Sequence, residues 1–217
     1  MDKESVKRFL RFLRDIKYEL CVSPFGIDFM EMSPEEAKAN FEWFIEKIPE
    51  RIHYLTQRCA YDLKVSPSVF DLSPNSLIYI WRWFLQTARI EKTPKEELEI
   101  MRKQFGHLGE SFINKEKLSV STEFILQDIG MYFGEMFVRN YNSIQWSYRT
   151  KPKRYIFVNQ PILIGFVDTN YDPPFHDRFA PVHMVGVQAM NMFDKTQNEK
   201  DLYNLFMRIL RTVPKDM

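Results

Sequence analysis

Asp128 and Glu135 stand seven residues apart in a segment, 121–141, whose apolar residues recur with the period of a helix. That spacing returns both carboxylates to nearly the same face, about two turns apart. Paired carboxylates can divide general acid and general base work when their surroundings push their pKa values apart. On this reading Glu135 is the working acid or base, raised by aromatic walls, with Asp128 beside it and His183 as a third group; such a site would serve a small hydrolase or transferase. The plainer alternative has Glu135 satisfied by Arg149, Arg154 or a backbone amide. It is preferred, because pairing is the simpler explanation of a charge beside a core.

Other catalytic constellations are missing from the sequence. The four histidines, His53, His107, His176 and His183, form no HExxH or HxH arrangement and no pair with Cys21 or Cys59, so no metal site is expected. Seven glycines form no phosphate-cradling loop, and neither GxSxG nor a lysine-containing Walker pattern occurs. No cofactor is expected. Gly130 and Gly134, four apart on the same predicted helix as the carboxylates, would let another element approach its backbone closely.

Two kinds of residue could instead bind a partner. Phe41-Glu42-Trp43-Phe44 and Trp81-Arg82-Trp83-Phe84 place rings around more than one side of a helix, so a single core face cannot absorb them all. Core placement is the first expectation for most of these rings, while Trp43, Tyr79 and Trp83 are the candidates for an exposed hot spot. Arg149, Lys151, Lys153 and Arg154 crowd a predicted turn with Trp146, Tyr148 and Tyr155 nearby, a small basic-aromatic patch that could meet RNA or an acidic protein. A net charge of +1, from 30 basic against 29 acidic residues, offers no wider field to attract nucleic acid.

Composition fits an ordered chain. Hydrophobic residues make up 45% and aromatics 15% of 217 residues, including 19 Phe, so a large core can form without metal or disulfide. Cys21 and Cys59 suit two free thiols in a reducing compartment. Residues 1–20 interleave Lys3, Lys7, Arg8, Arg11 and Arg14 with Val6, Phe9, Leu10, Leu13 and Ile16, a basic amphipathic helix expected to dock on its own domain, and unlike a signal peptide. No run reaches the length of a membrane span. The expected protein is soluble and cytoplasmic.

The elements that must position these residues follow from caps and period. Ser33-Pro34-Glu35-Glu36 carries an N-cap, a first-turn proline and a capping-box glutamate; the helix it opens should kink or split at Pro49, with a second segment running from 50 to 63. Ser73-Pro74 and Thr93-Pro94 open two more helices, the second short because Gly106 and Gly109 flank its end. After the central helix the period changes: residues 144–148, 155–158 and 162–167 read as strands, with Lys151-Pro152-Lys153 as the hairpin turn and Asn159-Gln160-Pro161 as a bulge, break or edge. The stretch 168–179, with Pro173-Pro174, reads as a loop, and two helices beginning near Pro181 and Thr196 close the chain. These elements predict one domain of mainly helical α+β class, a helical array around a central helix with a two- or three-stranded antiparallel sheet.

Thr122-Glu123, Asp128-Ile129-Gly130, Tyr132, Gly134-Glu135, Trp146 and Asn159-Gln160-Pro161 together resemble a pattern of uncharacterised bacterial α+β proteins, some of them similar to immunity proteins of polymorphic toxin systems. The likeness is confined mainly to residues 119–166. It implies stoichiometric binding of a cognate toxin and carries over no catalytic residue. The sequence therefore favours a noncatalytic protein-binding domain, with Trp43, Tyr79, Trp83, Trp146, Arg149 and Arg154 as candidate contacts.

Overall fold

The computed structural model describes residues 18–26, 28–105, 113–170 and 172–214. The expected basic helix before residue 18, together with Gly106, His107 and Gly109, lies outside the described residues, as do the side chains of His176 and Asp177.

The first described helix, α1 (Pro34–Leu63), starts where its capping box predicts. Ser33 Oγ accepts from the Glu36 amide at 3.2 Å, and Glu36 returns the bond by accepting from the Ser33 amide at 2.8 Å. Those bonds satisfy two donors that a helix start would otherwise leave open, and they hold the Glu36 carboxyl below its ordinary range. Pro49 does not divide the helix, contrary to expectation. Its ring sits on the exposed side, while Phe44, Ile48, Arg51, Leu55 and Cys59 continue one buried stripe past it. Burial on both sides of the proline outweighs its roughly 3 kcal/mol helix penalty. The helix ends at Lys64, which takes the left-handed conformation at φ 56°.

Next come α2 (Ser76–Thr87), α3 (Lys95–Phe105) and α4 (Val120–Asn140). Ser73-Pro74 forms a turn just ahead of α2 rather than its cap, with the Ser76 amide bonded to the Ser73 carbonyl at 3.0 Å. Two short strands unforeseen in the sequence, β1 (Ile90–Lys92) and β2 (Glu116–Leu118), pair antiparallel around α3. Ser119 Oγ caps α4 through the Thr122 amide. As predicted, α4 is the central element: Ile125, Ile129, Tyr132, Phe133, Met136 and Phe137 are all buried on it, and it packs against α1, α2 and α5 (Pro181–Ala189).

A second sheet has the order β3 (Gln145–Ser147), β4 (Ile162–Asp168), β5 (Phe175–Phe179), antiparallel throughout. Two expectations change here. Residues 155–158 form turns instead of a strand, because the Tyr155 amide bonds to the Pro152 carbonyl and the Val158 amide to the Tyr155 carbonyl, both at 2.9 Å. The segment read as a loop from 168 to 179 contributes β5, since its prolines sit ahead of the strand and leave the ladder donors of 175–179 intact. Pro161 precedes β4, so the predicted break falls in place. Gly165 marks an irregularity in the β4 register: its φ is +104°, and a Cβ there would lie 1.9 Å from the Ser143 carbonyl oxygen.

The chain closes with α6 (Asp201–Ile209), which buries Leu202, Leu205 and Phe206. The main core gathers α1, α2, α4, α6 and the three-stranded sheet around Trp81, Phe84, Tyr132, Phe133 and Phe137. The architecture is mainly helical α+β. Among the described residues, no helix is long and apolar enough to cross a membrane.

Candidate functional site

The two carboxylates on α4 have separate surroundings. Asp128 is 1% exposed and faces α1, where Arg51 meets it: Nη2 donates to Oδ2 at 2.7 Å, and Nε lies 3.2 Å from Oδ1. Tyr18 closes the third side, its hydroxyl donating to Oδ2 at 2.6 Å. Arg51 also donates to the Glu19 carbonyl at 2.6 Å and lies against the Tyr54 ring, 4.7 Å from its centroid. Burial pushes the Asp128 carboxyl up from its ordinary range, opposed by the Arg51 and Tyr18 hydrogen bonds. Burial disfavours the Arg51 cation, yet Asp128 holds its pKa above the ordinary value. The result is a triad that ties the segment at Tyr18 to α1 and α4. It leaves Asp128 no free face for substrate.

Glu135 lies near the other end of α4, with 14% of its side chain exposed. One oxygen accepts from Arg139 Nε at 3.0 Å and the other from Trp146 Nε1 at 3.2 Å. Its partners are thus Arg139 and an indole, where the sequence suggested Arg149, Arg154 or a backbone amide. His183 is exposed on α5 and packs against the Phe157 ring, with centroids 5.1 Å apart. No hydrogen bond or ion pair among the described residues joins any two of Asp128, Glu135 and His183. Among those residues, no group of three or more His, Cys, Asp or Glu could hold a metal ion.

The two glycines of α4 do admit close neighbours. A Cβ on Gly130 would lie 2.6 Å from the Val182 Cα, so α5 approaches to backbone contact. A Cβ on Gly134 would lie 2.3 Å from the Trp146 ring. Trp146 is therefore wedged between α4, β4 and the edge of the Phe44 ring, 5.3 Å between centroids, and is only part exposed. This contact explains why its indole nitrogen reaches Glu135.

The aromatic candidates separate by burial. Trp83 is 1% exposed, which removes it from any surface; its Nε1 donates to Asp62 at 2.9 Å and its ring lies against Tyr18. Tyr79 is half-buried between Phe70 and Arg82. Trp43 is half-buried on α1 and lines a cavity of about 150 Å³ with Phe44, Phe124, Pro161 and Val182. No family model, curated protein or solved structure matches the chain.

The remaining candidates gather on two neighbouring loops. Asn159 donates from Nδ2 to the Phe29 carbonyl at 2.7 Å and to the Met32 carbonyl at 3.2 Å, joining residues 28–32 to the 148–161 segment. On the first loop Val22, Phe25 and Met30 are 57%, 37% and 65% exposed; on the second Ile156 is 70% exposed. Arg149, Lys151, Lys153 and Arg154 are all exposed on that second loop. None of the four forms an ion pair among the described residues. Phe41 stacks on Tyr148, 4.8 Å between centroids, and fixes the second loop to α1. Sequence reasoning found the cations and missed their apolar neighbours, because Val22, Phe25 and Met30 lie in a segment with no periodic pattern.

Proposed function

We propose that this chain is a noncatalytic protein-binding domain whose recognition face is the joined pair of loops at 22–32 and 148–161. The observation that carries this reading is the juxtaposition of exposed Val22, Phe25, Met30 and Ile156 with four exposed cations, across a loop-to-loop connection made by Asn159. An apolar centre with a charged flank is the ordinary make-up of a protein interface, in which the apolar side chains supply affinity and the charges steer encounter. The partner that fits is a protein with an acidic, partly apolar surface. The resemblance over residues 119–166 makes a toxin the class of partner and an immunity-like, stoichiometric complex the mode of action.

The reading as a hydrolase or transferase has weaker support, because Asp128 is enclosed by Arg51 and Tyr18 and both Glu135 oxygens are engaged. A capture experiment distinguishes the two. The unmodified chain should retain one protein in stoichiometric amount from a native-host lysate, and R149E/R154E should release it at least about tenfold more readily at low salt, converging with the unmodified chain as salt rises. E135Q should capture the same protein equally. Capture indifferent to the charge reversals, or catalytic turnover lost in E135Q, would overturn the reading.

A further inference from the structure

The cavity beside Trp43 adjoins the recognition face and shares residues of both its loops, Val22 and Pro161 among them. Its walls come from α1 (Asn40, Trp43, Phe44), α4 (Phe124, Gln127), the 22–29 loop, Pro161 and α5 (Val182). Among the described residues, no charged one lines it. Its volume, about 150 Å³, is that of a space which admits a benzene-sized molecule. Exposed Val22 and Gly26 border it, so the cavity has a route to solvent.

One polar side chain on its wall has a donor that no described protein group engages. Asn40 is 3% exposed, a polar side chain on the inward side of α1. Its Oδ1 accepts from Ser23 Oγ at 2.8 Å, while its Nδ2 has no acceptor among the described residues. The neighbouring Gln127 spends its Nε2 on the Cys21 carbonyl at 3.2 Å, and Gln160 its Nε2 on the Ile156 carbonyl at 3.3 Å. That nitrogen keeps contact with solvent, so it is open to a ligand acceptor in exchange for water. Packing alone would have been served by a leucine at this position of the stripe.

We infer that this cavity is a binding site for a compact, neutral, mainly apolar molecule, a single ring in size, carrying one oxygen acceptor that meets Asn40 Nδ2. A charged ligand is disfavoured, because the walls offer no counter-ion and desolvation would go uncompensated. Aromatic walls at Trp43, Phe44 and Phe124 suit a ring over a flexible chain.

Phenol, toluene and benzoate test this as probes in side-chain amide and indole NMR of the full chain. Phenol should bind saturably with Kd on the order of 1 mM or tighter, moving the Asn40 amide pair and the Trp43 indole signal. Toluene, of the same size without the oxygen, should bind about tenfold more weakly, moving Trp43 and leaving Asn40 nearly in place. Benzoate should move neither. N40L should weaken phenol about tenfold and leave toluene unchanged or tighter; should that variant fail to fold, the phenol-to-toluene contrast in the unmodified chain decides alone. Absence of saturable phenol binding, saturable binding that leaves Asn40 and Trp43 undisturbed, or benzoate equal to phenol would overturn the inference.

Discussion

Arg51 and Asp128 form a 2.7 Å salt bridge between two helices, and neither side chain is more than 2% exposed. Breaking one side of such a pair leaves a buried charge without its counter-ion, at a cost of about 3–5 kcal/mol. D128N and R51M should each lose stability on that scale in urea unfolding, with the denaturant slope unchanged. The double variant R51M/D128L should recover part of the loss, because two apolar side chains need no counter-ion, while the Tyr18 hydroxyl still lacks its acceptor. Additive losses would mean that the two groups do not act as a pair.

Arg51 was open to detection in the sequence, since it occupies a core position in the stripe Phe44, Ile48, Leu55, Cys59. A cation there signals a buried anion, and Asp128 on α4, whose face is almost wholly buried, is the matching anomaly. Tyr18 was not legible as the third member, because 110 residues separate it from Asp128 and no periodicity links them. The helices at 34 and 95 could be read because their start signals are local, a capping hydroxyl or a first-turn proline acting within four residues, and the helix at 120 from its apolar period. The edge strand β5 and the turns at 155–158 could not, since their backbone bonds depend on what lies alongside. The recognition face had the same obstacle: Asn159 joins loops that are 127 residues apart.

The close packing of α4 predicts unequal rescue at its two glycines. G130A and G134A should each destabilise by about 1–3 kcal/mol or more, since a new methyl group enters occupied space. At Gly134 the obstacle is a side chain, so W146L should restore much of the loss in G134A. At Gly130 the obstacles include the Val182 Cα and amide nitrogen, at 2.6 Å and 2.9 Å, so V182A should not rescue G130A. Equal rescue at both sites, measured by thermal unfolding, would contradict the backbone approach of α5.

Trp83 and Trp43 should part in their effects although both were candidates for a surface role. W83A removes a fully buried ring and leaves Asp62 without its indole donor, so stability should fall by about 3–5 kcal/mol. W43A, at a half-buried ring on the cavity wall, should cost less and should chiefly alter phenol binding. Comparing melting temperatures and phenol titrations of the two variants checks this; a W43A loss as large as that of W83A would place Trp43 in the core.

Tyr132 should make the fold sensitive to alkali. Its hydroxyl donates to Ser76 Oγ at 2.7 Å and accepts from the Leu72 amide at 3.0 Å, and burial pushes its pKa up to about 12. An unfolded tyrosine ionises near 10. Between those values the unfolded chain has released a proton that the folded chain retains, so stability is full below about pH 10 and falls as pH rises toward 12. The two-unit difference amounts to roughly 2–3 kcal/mol over that window. Y132F loses the hydroxyl bonds, so it should be less stable than the unmodified chain at pH 8. It should also lose less on going to alkaline pH, since its ring cannot ionise. Urea unfolding of both chains at about pH 8, 10 and 11.5 measures the two slopes. Parallel slopes would show that the alkaline loss arises from other groups, Tyr18 among them, whose pKa burial also raises.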